Sequence, residues 1–261
     1  MSGAVDDENS EQPNKKRKSK FTISYSNIGK ADAEKRLGFR MRTLENKAIA
    51  VKRMLSEAGG AEEFSDVIMK SKERVYDLIV QCLAVEGYPS ESDQYFKEAS
   101  INDLVFASIV PVIYDFRRKT GRDSIQLLRE KEIVAADGET GGSEEFVVVD
   151  FISVSEERYI LVIEGKRSSL GEAKKQCLLA MKDMGDKNRG YTVYGFVTTG
   201  ESWQMLKYDG ASFQMSRRID VLFNGMDEEK ELWMKDYSVL VDCLYVALRS
   251  GGVAKKDVVI G

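Results

Sequence analysis

Two apolar, β-branched runs, Phe146–Val154 and Tyr159–Lys166, are separated only by Ser155-Glu156-Glu157-Arg158, and they constrain the fold more than any other stretch of the chain. Their content of Val, Ile, Phe and Tyr suits a pleated, buried surface, and so short a polar connection between them predicts an antiparallel hairpin. On both sides of this pair the hydrophobic period changes to three and four residues. Upstream, Leu37, Met41, Leu44, Ala48, Val51 and Leu55 predict a helix from Lys30 to Ala58, stopped by Gly59-Gly60. A second helix is expected over Glu62–Val85. A third follows Ser100, where Ser100 and Asp103 resemble a capping box and Pro111 is placed to kink the helix. Downstream come a helix over Gly171–Met184, a strand over Tyr191–Thr199, a hairpin and a last amphipathic helix over about Glu228–Arg249. The hairpin joins Trp203–Tyr208 to Ala211–Met215 across Asp209-Gly210, a pair that suits a type I′ turn.

This order of elements predicts an α/β domain, or its α+β variant, with a mixed central β-sheet flanked by helices. Residues 1–28 read as a polar, basic leader with too little apolar content to offset the entropy of ordering. Residues 29–99 form an N-terminal helical region, residues 100–250 the α/β core with its C-terminal helix, and 251–261 a tail. Within the leader, Lys15-Lys16-Arg17-Lys18-Ser19-Lys20 has the form of a nuclear-localisation tract, which predicts an intracellular, nuclear protein. No apolar run in the sequence approaches the roughly eighteen residues that cross a bilayer, and the first thirty residues lack a signal-peptide core, so no membrane partner is expected.

Composition narrows the chemistry. The chain has no histidine, which removes Ser-His and Cys-His nucleophilic catalysis and histidine-ligated metals. Cys82, Cys177 and Cys243 are far apart and sit inside apolar helical patterns, so they read as core residues rather than a disulfide framework or zinc site. Any chemistry must run on carboxylates, Lys, Tyr or an oxygen-ligated metal. Net charge of -4 gives no overall pull toward a polyanion, although basic residues line the predicted helices around Lys35–Arg53 and Lys174–Arg189. The N-terminal helices offer a surface for a protein partner.

The predicted hairpin ends in Glu164-Gly165-Lys166. Because side chains alternate along a strand, Glu164 and Lys166 share a face about 6.6 Å apart. Asp150 joins them only if it lies directly opposite Glu164, which would put the two carboxylates about 5 Å apart. Two such carboxylates repel, and a divalent cation relieves the repulsion; all-oxygen ligation favours Mg²⁺ or Mn²⁺. Lys166 beside that ion is placed to position a water or to neutralise charge on a phosphate.

Asp150, thirteen intervening residues and then Glu164-Gly165-Lys166 after an apolar strand resemble the motif of the PD-(D/E)XK nuclease superfamily, with Val149 where the motif has Pro. The resemblance spans roughly residues 100–210, through helix, strand, Asp-bearing strand, Glu-x-Lys strand, helix and strand. It implies a restriction-endonuclease-like core and a Mg²⁺-dependent nuclease that hydrolyses phosphodiester bonds in DNA or RNA. Asp150 and Glu164 would hold the metal, Lys166 would serve the nucleophilic water, and Gln176 on the following helix would support the site. A further acidic residue is expected from the helix before the sheet, with Glu98, Asp103 and Asp115 as candidates. The alternative is a catalytically inactive module of the same fold that binds nucleic acid or a protein partner.

Overall fold

The computed structural model describes residues 20–89, 96–168 and 170–252. Of the basic tract, only Lys20 lies among them. The chain forms an α/β fold around a mixed eight-stranded sheet, as its pattern predicts. The main path runs β1 (Ile23–Ser24), β3 (Thr140–Phe151), β4 (Glu157–Gly165), β5 (Val193–Thr198), β6 (Ser202–Tyr208) and β7 (Phe213–Met215), with β2 (Ile125–Val134) on β3 and β8 (Ile219–Asp220) on β6. β4 and β5 are parallel and joined by α6 (Leu170–Lys187); β2, β3 and β4 form an antiparallel series.

Helices cover both faces. The long helices α4 (Ser65–Glu86) and α5 (Glu98–Thr120) pack with α8 (Val239–Ser250) over one side, where Phe116, Val148, Ile163, Phe196 and Leu244 are buried. α6 and α1 (Lys30–Leu37) cover the other, against Val147, Val162, Val197, Cys177 and Met181. By length and composition α5 is apolar enough to cross a membrane; here it is packed against α4, α8 and β4. Cys177 and Cys243 are buried and Cys82 is half-buried, all as free thiols. A Cβ at Gly195 would stand 2.7 Å from Cys177 Sγ and closer still to Met181 Sδ, so glycine is what lets α6 lie against β5.

Several elements differ from their sequence expectation. The single helix expected over residues 30–58 is three: α1, α2 (Met41–Asn46) and α3 (Val51–Glu57). Gly38 ends the first in the left-handed region at φ 81°, a conformation that other residues rarely adopt. The second long helix matches its expected span after a 3₁₀ turn at Glu62–Phe64. α5 begins at Glu98, with Ser100 inside the first turn rather than capping it, and Pro111 is accommodated and buried. The last helical segment starts with α7 (Lys230–Leu232), passes through a π-helical stretch at Trp233–Tyr237 and continues as α8. Tyr208 pairs with Phe213, so the expected two-residue turn is a four-residue loop. The Asp209 carboxylate organises it by accepting the Ala211 and Ser212 N–H groups, an Asx turn competing successfully with the tight hairpin. Trp203 is fully buried, as a core residue, with its indole N–H donating to the Gly200 carbonyl.

The decisive difference lies between β3 and β4. Strand β3 begins at Thr140 and so takes in Gly141-Gly142-Ser143-Glu144-Glu145, while the turn occupies residues 152–156, where Ile152 and Ser153 N–H groups bond the Glu156 carbonyl. The reversal is thus centred on Val154 rather than on Glu157. Val154 is fully exposed and Ile152 half-exposed, so the apolar pattern that extended the first strand to residue 154 is a loop tip. Moving the centre of a hairpin by three residues moves each partner by six: Asp150 pairs with Arg158 and not with Glu164. A bulge between Val148 and Val149 does not restore the expected register.

Candidate active site

Glu164 and Lys166 sit where β4 meets the carboxyl end of the parallel β4–β5 pair, and the Lys166 N–H bonds the Thr198 carbonyl at 2.9 Å. Between them, Gly165 allows a close approach to α5: a Cβ there would lie 3.2 Å from Ile101 Cγ2 and 3.4 Å from Asn102 Oδ1. That approach brings the first turn of α5 over the strand end. Lys166 Nζ consequently bridges two carboxylates, Glu98 Oε1 at 2.6 Å and Glu164 Oε1 at 2.9 Å. Of the three acidic candidates ahead of the sheet, Glu98 is the one that reaches Lys166. Asp103 is exposed, and Asp115 is held by Ser71 and Arg74.

The carboxylates that accompany Glu164 on β3 are Glu144 and Glu145. The β3–β4 pairing reaches Phe146 and Ile163, so Glu144 and Glu145 are the next residues along β3 beside the Glu164 end of the ribbon. Glu144 is buried, and its Oε2 has no hydrogen-bond partner. Burial, then repulsion from Glu164, hold the Glu144 carboxyl well above the usual carboxylate range, and the two side chains share a hydrogen bond. Glu164 is itself raised by burial, against the pull of Lys166 and that hydrogen bond. Glu145 is pushed up to about 7 by burial and by Glu164, with Lys166 and Asn102 opposing, and its Oε2 is another buried oxygen without a partner. Burial alone would depress the Lys166 ammonium, but Glu164, Glu98 and Glu145 together hold it above its usual range. It is therefore charged at neutral pH and serves as a cation, not as a proton acceptor.

Asp150 and Gln176 fall elsewhere. Asp150 lies at the opposite end of β3, buried, with Oδ2 2.5 Å from Arg122 Nη2. The expected convergence of Asp150 with Glu164 is thus replaced by Glu144 and Glu145, because the turn sits earlier in the chain than the sequence pattern indicates. The signal that could have found them is the Glu144-Glu145 doublet preceding the buried run, once the loop is centred on Val154. Gln176 is half-buried on α6 and makes no side-chain hydrogen bond among the described residues. The basic residues of α6 are largely engaged within the fold: Lys175 is buried against the Ser26 and Ile28 carbonyls, Lys174 pairs with Glu45, and Lys182 with Asp186.

Among the described residues, no three Asp, Glu, Cys or His side chains are already gathered as a metal-holding group. Lys166 supplies the positive charge between Glu98 and Glu164. The site nevertheless offers oxygen donors suited to a hard divalent ion, since Glu144 Oε2, Glu145 Oε2 and Asn102 Oδ1 are buried without partners. The raised Glu145 carboxyl has a consequence for stability. From its ordinary 4.5 to about 7, the folded protein binds a proton that the unfolded chain releases, so this group's contribution is full below its unfolded value and is lost as pH rises through about 7. Thermal melts should show wild type losing more stability than Glu145→Gln between roughly pH 5 and roughly pH 8. Equal losses would mean that Glu145 is not held in this environment.

Compared with known proteins, the chain matches no family model and no curated protein.

Proposed function

We propose that the protein is a metal-dependent nuclease that hydrolyses phosphodiester bonds in DNA or RNA, with a core of the restriction-endonuclease-like type. The observation that carries this reading is the gathering of Glu98, Glu145, Glu164 and Lys166 at the carboxyl end of β4, with the buried Glu145 Oε2 unpartnered among them. Glu145 and Glu164 would hold the ion, Glu145 taking the place expected of Asp150. A bound Mg²⁺ or Mn²⁺ would polarise the phosphoryl oxygens and lower the pKa of a water. Lys166, fixed as a cation, offsets negative charge gathering on the phosphate. Glu98 holds the Lys166 ammonium in position.

One observation favours the rival reading of a non-catalytic module. Lys166 already satisfies Glu98 and Glu164, an arrangement that is complete without a metal. Calorimetric titration with Mn²⁺, run beside a cleavage assay on labelled DNA and RNA, separates the two. The nuclease reading expects Mn²⁺ binding that Glu164→Gln weakens at least about tenfold, a loss of about 1.4 kcal/mol, together with Mn²⁺-dependent cleavage. Nucleic-acid binding with neither Mn²⁺ binding nor cleavage would establish the module instead.

A further inference from the structure

Beside the carboxylates, a cleft of about 260 Å³ opens at the carboxyl ends of β4 and β5, lined by Arg167, Ser168, Thr199, Glu201, Ser202 and Arg218 among others. In open α/β sheets this is where ligands bind, because the chain leaves parallel strands there through loops rather than continuing the sheet. One feature ties the cleft to the candidate active site, and two give it a preference for anions. Arg167 directly follows Lys166, so its backbone is fixed to the candidate active site by the chain itself. Arg218 comes from the separate segment between β7 and β8; it is exposed and makes no ion pair among the described residues. The N-terminal end of the 18-residue α6 also borders the cleft, through Leu170, and presents the positive end of the helix dipole. The acidic wall residue, Glu201, is turned to structural use, with its Oε1 accepting the Tyr88 hydroxyl at 2.5 Å.

We infer that this cleft is a phosphate subsite for single-stranded nucleic acid, in which Arg218 holds a backbone phosphate neighbouring the one presented to Lys166. The inference rests on the nuclease reading for the identity of that second phosphate. Its size supports a single strand: about 260 Å³ is near the lower end of small-ligand pockets and admits about one nucleotide unit, not a duplex. The subsite makes Arg218 a binding residue with no contact to the reacting atoms.

The test uses the full chain and a fluorescein-labelled single-stranded oligonucleotide in EDTA, so that binding is read without cleavage. Arg218→Glu should raise Kd about tenfold, equivalent to about 1.4 kcal/mol, and reduce the slope of log K against log salt by about one. Lys119→Glu, a charge reversal of the same size at the far end of α5, controls for net charge and should leave Kd within about twofold. A labelled duplex should bind more weakly than the single strand and respond less to Arg218→Glu. An unchanged Kd for Arg218→Glu, an equal loss in Lys119→Glu, or a duplex that binds and responds as the single strand does would each overturn the subsite. Those outcomes leave the nuclease reading standing if Mn²⁺ binding and cleavage persist. Conversely, Arg218-dependent binding by a protein that neither binds Mn²⁺ nor cleaves would support the subsite while removing the nuclease.

Discussion

Lys166→Ala should reduce Mn²⁺-dependent cleavage of labelled DNA or RNA by about 10²-fold or more, the scale seen when a group that stabilises developing charge is removed, while oligonucleotide and Mn²⁺ binding are retained. The expectation follows from the position of Nζ, 2.6 Å from Glu98 and 2.9 Å from Glu164, and from a charge that the surrounding carboxylates hold in place at neutral pH. The substitution also leaves Glu164 buried without its cation, which should cost about 1–3 kcal/mol in the absence of metal. At about 2–4 °C per kcal/mol for a chain of this class, that loss is visible in a thermal melt. Added Mn²⁺ should restore part of it, since the ion can replace the missing positive charge between the carboxylates. Cleavage by Lys166→Ala at the wild-type rate would remove Lys166 from the chemistry. A lower melting temperature that Mn²⁺ leaves untouched would argue against ion binding by these carboxylates.

Arg122→Ala should destabilise the protein by about 2–3 kcal/mol without impairing any site at Glu164. Its guanidinium is 2.5 Å from Asp150 Oδ2 and also donates to the Leu248 carbonyl at 3.2 Å, tying the hairpin to the end of α8. Asp150 is only 6% exposed and its Oδ1 has no partner, so loss of Arg122 leaves a buried, poorly solvated carboxylate. The figure is set toward the low end because the Arg122 side chain is 31% exposed and water can replace part of the contact. Asp150→Asn in the Arg122→Ala background should recover part of the loss, a coupling that a double-mutant cycle reads directly. Asp150→Asn alone should leave the cleavage rate per folded molecule unchanged. Abolished cleavage in a folded Asp150→Asn protein would restore Asp150 to the active site and overturn the assignment of Glu145.

The contrast between Asp150 and Glu145 shows where local pattern stops carrying information. Both are acids adjoining the buried run Phe146–Val149, one at each end, and local pattern does not choose between them as the neighbour of Glu164. What separates them is the location of the reversal between β3 and β4. The alternating Ile152 and Val154 imitate strand positions, but they stand at an exposed turn whose backbone closes onto Glu156. The same limit explains β2, whose residues Arg129–Glu132 are too polar to announce a strand and which is held by pairing along β3. It also explains the broken N-terminal helix, where the three- and four-residue spacing of apolar positions runs on across breaks that the backbone makes at Gly38 and Lys47.

The amino-acid sequence by itself determined the α/β class, the long helices, the paired central strands, the exclusion of histidine chemistry, and the placement of Glu164 and Lys166 at a strand end. These follow from residue type and near-neighbour spacing, which act over one turn of helix or two residues of strand. Only the tertiary structure decided which carboxylates join them, because that choice depends on hairpin register and on how closely α5 approaches Gly165. Register is fixed by burying both faces of β3 and β4 at once, between α5 and α8 on one side and α6 on the other. That is a balance over the whole core, and it placed Glu144 and Glu145 beside Glu164 while sending Asp150 to Arg122.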